Sequence, residues 1–282
     1  MKLTTPIAYL GMLSSASIAN HLGYCAMESQ LEKNPLDTKK KADIASRTFE
    51  NLFVPHFAQK IVQTIGNKAF GDKIGSALSS YGSSLVYMIF HKALTADVNH
   101  EISKEENSYV PDALPSFYQE KIRPAIKSFQ EKVLGLKEDS INYFKLIGVY
   151  GAMLASTFLD KDIAFPGTQD IRNASGLGAK LIEAVKNKLI YIGTYFTYQA
   201  TTLVMYGKRN PSGVQSKLGN FVEQFKNAIK TKSIPPLSIA IADPLAELIT
   251  SLSNNGVIPA PFLAACLRVA FMFTGGKIKA AK

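Results

Sequence analysis

The sequence predicts an all-α fold, and three observations carry the prediction. Uncharged apolar stretches of helix length recur along the chain, amphipathic segments with helical spacing lie between them, and no alternating period-two run reads as a strand. Proline, glycine and asparagine punctuate the long segments at Asn34-Pro35, Pro111 to Pro115, Pro166-Gly167, Asn210 to Gly213, Pro235-Pro236 and Asn254 to Gly256.

Composition narrows the class further. Hydrophobic residues make up 46% of the chain, enough to bury a large core, which excludes a disordered polymer. Charged residues make up only 19%, below the roughly 25% usual in soluble domains. A formal charge of +10 favours an anionic partner, but the clearest basic run, Lys39-Lys40-Lys41, is short, so nucleic acid is not expected. The 282 residues are read as one unit.

The first element spans Leu3 to Met27, where no Asp, Glu, Lys or Arg occurs. With Lys2 before it and the small residues Ser17 and Ala19 inside it, the stretch resembles a secretory signal. It is also long enough for a first membrane helix, since about 20 residues span the hydrocarbon core. Both readings stay open. Further uncharged stretches cover Ile74 to Phe90, Leu146 to Leu159 and Leu189 to Gly207, and each carries Ser, Thr, Tyr or Gln. Such segments suit a membrane bundle around a polar path, because polar groups in a membrane face the protein interior. The alternative is a soluble all-α bundle.

Small residues at four-residue spacing mark faces where helices could approach closely: Gly71, Gly75, Ser79 and Ser83 in one stretch, Gly148 with Ala152 and Gly151 with Ala155 in another. The segments Ile122 to Leu136 and Lys217 to Lys230 are amphipathic and suit a membrane surface or a soluble core. Cys25 and Cys266 are far apart in apolar surroundings and read as buried thiols.

A weak triplication follows. The helix ends Ser84 to Lys92, Thr202 to Lys208 and Arg268 to Lys277 each close on an aromatic followed by a lysine, the composition of a membrane interface. This divides the chain approximately at 1–110, 111–213 and 214–282. A proline followed by an acid and a base comes after two apolar segments: Pro35, Asp37 and Lys40 after the first, and Pro166, Asp170 and Arg172 after the third. No third copy is readable near Pro244 or Asn255.

On these residues the chain resembles the mitochondrial carrier family, whose repeats carry Pro-x-Asp/Glu-x-x-Lys/Arg at the end of each odd helix. Pro35, Asp37 and Lys40 match that motif in full; Thr168 stands where the second copy needs its acid. The resemblance implies six membrane helices in three pairs, a central solute cavity and alternating access gated by ion pairs. It would place the protein in the mitochondrial inner membrane, as a monomer against acidic phospholipid. Aligning the aromatic helix ends makes Tyr81, Tyr198, Gln199 and Arg268 the candidate solute contacts. Arg268 lies inside an apolar segment, where its guanidinium would grip a carboxylate or phosphate through two hydrogen bonds, or pair with Asp243 or Glu247 at a helix contact.

No catalytic or metal chemistry is expected. His21, His56, His91 and His100 are scattered, and Asp97, His100 and Glu101 fit a polar helix end or loop better than a metal site. Gly176-Leu177-Gly178-Ala179-Lys180 lacks the strand and full glycine spacing of a phosphate loop and reads as a loop or a helix start. The functional expectation is therefore a carrier exchanging an anionic metabolite, adenine nucleotide first, without a cofactor. Two alternatives are a secreted or periplasmic helical effector with a cleaved signal, and a carrier-like structural subunit that transports nothing.

Overall fold

In a computed structural model, residues 4–32, 35–70, 116–160, 163–165, 168–206, 222, 225–226, 233–253 and 258–281 are described. Among them the fold is all-α, with an isolated bridge between Leu136 and Ile141 and no strand. Helix α1 runs Thr4–Leu31 and α2 Thr38–Phe70; α3, Arg123–Phe129, is flanked by π-helical turns at Tyr118–Ile122 and Gln130–Leu134. Then come α4, Tyr143–Ser156, with a 3₁₀ turn at Thr157–Leu159, α5, Gln169–Asn173, α6, Gly176–Tyr206, α7, Ile234–Leu252, and α8, Ala260–Ala280.

Local chemistry sets the boundaries. The Asp37 carboxylate accepts a hydrogen bond from the Lys40 backbone N–H at 2.7 Å, and Asn142 does the same for Lys145 at 3.1 Å, each satisfying a donor in a first helical turn. Gly135 ends the second π turn at φ 69°, and a Cβ there would lie 2.7 Å from that of Asn142. Pro235 and Pro236 occupy the first turn of α7, where missing N–H donors cost nothing.

The chain divides into two compact units, 1–49 with 125–191 and 234–282, and 50–124 with 192–233. In the second, buried Glu50 accepts from the Tyr118 hydroxyl at 3.0 Å and lies 3.6 Å from Arg123. In the first, α1 is the central helix, packed on α4 and α8, with α7 beside α8.

The contacts fix the helix directions. Along α1, Ile7, Ser14 and Ser17 meet Ser156, Met153 and Tyr150 in turn, so α4 is antiparallel to α1. Gly23 meets Met272 and Met27 meets Gly276, so α8 is parallel to α1. Gly275 meets Ile234 while Arg268 bonds Asp243, so α7 is antiparallel to α8. The glycines that permit these approaches are Gly11, where a Cβ would collide with Ser156 Oγ and the Met153 carbonyl, and Gly276, where it would lie 3.0 Å from the Met27 carbonyl oxygen. Among the described residues, nothing lies within 4 Å of a Cβ placed at Gly148 or Gly151, the face expected to seat a helix, because α4 and its 3₁₀ turn pack through Leu146, Tyr150 and Thr157. Gly71 to Ser83 lie outside the described residues.

The core of this unit admits polar groups among buried apolar side chains such as Met12, Leu13, Leu134, Ile171 and Met272. The inner face of α1 holds Ser14, Ser15 and Ser17, each at 0% exposure, together with His21, while Ile7, Leu10 and Leu22 point outward. On α4, Phe144 is 91% exposed with Ile147 beside it; on α7, Leu237, Ile241, Ile249 and Leu252 face outward over a buried Ser238, Ala242, Ala246 and Glu247. Scattered exposed apolar residues are ordinary, but large ones outside with hydroxyls and ionised groups inside are not.

Candidate functional site

Two buried Arg–carboxylate pairs of the first unit centre on α7. On α8 the inward positions recur every four residues, Ala260, Ala264, Arg268, Met272 and Gly276, so Arg268 is the one charge in a row of small and apolar side chains. It is 4% exposed. Its Nε and a terminal nitrogen donate to the two oxygens of Asp243 at 2.8 and 2.6 Å, a bidentate pair that joins α8 to α7. The guanidinium also stands 4.7 Å from the centre of the Phe165 ring.

One turn further along α7, Glu247 is 1% exposed and accepts from Arg172 Nε at 2.6 Å. Lys180 is the second positive charge felt by this carboxylate. Lys180 itself donates to the carbonyls of Arg172 at 2.9 Å and Ile171 at 3.2 Å, closing the end of α5. Glu247 Oε2 and Asn20 Oδ1 are buried with no hydrogen-bond partner among the described residues, and the buried Ser17 and Tyr150 hydroxyls face each other. Pro244 lies inside α7 between the two carboxylates in sequence and removes one helical donor.

The sequence-predicted residues fare unevenly. Arg268 takes the second of the two roles open to it in the sequence, pairing with Asp243. Arg172 is placed on a carboxylate, but that of Glu247, three residues after Pro244, whereas Asp170 is exposed. Lys40 bonds Glu32 and stands 3.8 Å from Glu28, both near the end of α1, and Asp37 caps α2. Pro35 is exposed.

The two motif segments do not meet. Because α1 and α4 are antiparallel, Pro35 follows the end of α1 that packs beside Gly276, whereas Arg172 engages Glu247, 13 residues along α7 from Ile234 at that same end. At about 1.5 Å per residue, the levels differ by roughly 20 Å. A single ring built from Asp37, Lys40, Asp170 and Arg172 is absent from this unit.

Tyr81 and Pro166 lie outside the described residues, as do the side chains of Tyr198 and Gln199, whose backbones belong to α6. Cys25 is half-buried and Cys266 exposed, so the second is not the buried thiol expected: it stands two residues before Arg268, on the opposite side of α8. Gly176, at φ 80°, begins α6 as expected of a helix start. Among the described residues, no group of three His, Cys, Asp or Glu could hold a metal, and one helix, α8, is long and apolar enough to cross a membrane.

Asp243 and Glu247 had a readable signal: they are the two ionisable residues of an otherwise uncharged α7. Compared with family models, curated proteins and solved structures, the chain shows no match to any.

Proposed function

We propose that the protein is an integral membrane bundle that moves an anionic metabolite along the polar face shared by α1, α4, α7 and α8, with adenine nucleotide as the first candidate solute. The observation that carries this reading is where the polar and the apolar groups lie: serines, Arg268 and Glu247 are buried among the apolar core side chains, while Ile7, Phe144, Ile147 and Ile241 are exposed. In lipid such outward side chains need no partner, and inward polar groups mark the path of a solute.

Arg268 is the proposed solute contact. A phosphate or carboxylate competes with Asp243 for the same two guanidinium donors, so binding releases one helix contact and substitutes another. Transport then needs no covalent chemistry: the solute shifts the balance between the state with Arg268 on Asp243 and the state with Arg268 on solute. Arg172 and Glu247 supply a second Arg–carboxylate pair one turn away, joined through one carboxylate oxygen.

The carrier resemblance contributes the solute class and the principle of alternating access. Six spans in a threefold ring, and a mitochondrial location, remain proposals drawn from the resemblance alone. The parallel run of α1 and α8 weighs against that ring, since first and sixth helices would run oppositely in it. A cleaved signal is disfavoured by the burial of Met12, Leu13, Ala16 and Ala19 of α1 in the first unit.

The test is exchange in liposomes loaded with ATP, measured as uptake of labelled nucleotide, beside Arg268→Gln, Asp243→Asn and Lys40→Ala. Saturable exchange is expected, lost in Arg268→Gln and retained in Lys40→Ala. Loss in Lys40→Ala with retention in Arg268→Gln would move the function to the end of α1 and favour the ring. A chain that stays in the aqueous phase is the secreted effector, and one that inserts but exchanges none of a panel of anions is a structural subunit.

A further inference from the structure

The helix directions sort the charges of the first unit between its two ends. The end of α1, the start of α2, the start of α4, the start of α7 and the end of α8 lie together, as Met27 against Gly276, Ile234 against Gly275 and Ser46 against Gln130 require. Lys and Arg at this end number four in residues 39–47, three in 132–145 and two in 277–279. The opposite end is formed by the start of α1, the end of α4, α5, the end of α7 and the start of α8, and its cations Arg172 and Lys180 are held internally, by the Glu247 carboxylate and by the Arg172 and Ile171 carbonyls. Residues 4–20, 148–159 and 248–253 with 258–265 contain no Lys or Arg.

Acids at the basic end are largely engaged locally. Glu28 and Glu32 take Lys40, Asp43 takes Arg47 at 2.8 Å, and Asp37 caps α2. Glu131, Glu138 and Asp139 are exposed there, but carboxylates have little effect on membrane orientation compared with Lys and Arg. Lys277 lies 4.9 Å from the centre of the Phe273 ring on the last turns of α8, an aromatic and a cation at one level, as at a lipid headgroup boundary.

We infer that the end carrying Lys39, Lys41, Lys277 and Lys279 lies against an anionic phospholipid surface, and that α1 therefore begins on the opposite side of the membrane from where α8 ends. Each lysine near an acidic leaflet gains on the order of 1 kcal/mol. Parallel α1 and α8 put their first residues on one side and their last on the other, so the chain from α1 to α8 crosses an odd number of times. The inference rests on the membrane part of the proposed function and is independent of transport.

The test uses the full chain with Cys25→Ser and Cys266→Ser, carrying a single cysteine from Thr5→Cys or Lys279→Cys, in a bacterial inner membrane. A membrane-impermeant maleimide is applied to spheroplasts and to inverted vesicles. Thr5→Cys is expected to label in spheroplasts only and Lys279→Cys in inverted vesicles only. Labelling of both from one side overturns the inference while leaving a membrane protein; complete extraction by alkaline carbonate overturns the membrane reading itself. Adding Lys39→Glu, Lys41→Glu and Lys277→Glu to Thr5→Cys is expected to raise its labelling in inverted vesicles several-fold. Unchanged one-sided labelling would show that these lysines do not set the orientation and would overturn their assignment to an acidic lipid surface.

Discussion

Arg268 and Lys40 are both cations held by carboxylates of the first unit, yet their surroundings differ in every respect that sets an energy. Arg268 is buried, gripped by both oxygens of Asp243 and backed by the Phe165 ring. Lys40 has a side chain 41% exposed, between Glu28 and Glu32 near the end of its own neighbouring helix. The first joins two helices far apart from any turn; the second tidies a helix junction. A proline, an acid and a base close in sequence drew attention to Lys40, but burial decides which pair matters, and burial favours Arg268.

The largest effect is therefore expected at Asp243. Asp243→Ala leaves the Arg268 guanidinium buried without its bidentate partner, and breaking such a pair costs about 3–5 kcal/mol. Thermal unfolding in detergent should show it, while Arg268→Met combined with Asp243→Leu should recover most of the loss, because two apolar groups leave no charge stranded. A single variant within about 1 kcal/mol of the parent would mean that water reaches the pair, since exposed pairs are worth that little.

Gly11 and Gly148 make the next comparison. Both are helical glycines, but a Cβ at Gly11 collides with Ser156 and the Met153 carbonyl, whereas at Gly148 it meets none of the described residues within 4 Å. Gly11→Ala is expected to destabilise by about 1–3 kcal/mol through overpacking. Gly148→Ala is expected to be neutral or to stabilise by about 0.5–1 kcal/mol, since a mid-helix glycine is entropically unfavourable. The ordering, more than either value, tests the α1–α4 contact.

These pairs also show what the sequence makes legible. The helices follow from uncharged runs and breaking residues: α1 contains Leu3-to-Met27 almost whole, and α4 with its 3₁₀ turn covers Leu146 to Leu159. The lack of a strand at Gly176 leaves a loop or a helix start open in the sequence, and the structure shows the helix start. Direction is different, because a hydrophobic run has the same pattern read either way, and only contacts such as Gly23 with Met272 reveal that α1 and α8 are parallel. The small-residue rule points to close packing without naming the partner: it selects Gly148, where a Cβ meets none of the described residues within 4 Å, and passes over the α7 series Ser238, Ala242 and Ala246, which is buried. Glu247 escapes a motif search that seeks an acid two residues after proline, because it stands three residues after Pro244.

Asp37 sharpens the contrast at the α1–α2 junction. As the cap of α2 it is worth roughly 1 kcal/mol, a loss that Asp37→Asn should largely restore, since an amide oxygen accepts the same backbone hydrogen bond. A gate residue would behave otherwise. It needs a charge, so Asp37→Asn would stabilise the helix start yet abolish exchange. Melting temperature and exchange rate, measured on the same Asp37→Ala and Asp37→Asn preparations, separate the two roles.

The smallest effect is expected from Lys40→Ala. Its partners Glu28 and Glu32 are about one-third exposed, so the pair should be worth about 0.2–1 kcal/mol and should weaken in salt. A double-mutant cycle with Glu32→Ala isolates the coupling from the loss of the lysine stem. Coupling inside that range assigns Lys40 to the helix junction. Coupling of several kcal/mol that persists in high salt would require a setting as shielded as that of Arg268, and the distinction between the two ends of this unit would then have to be redrawn around a third buried ion pair.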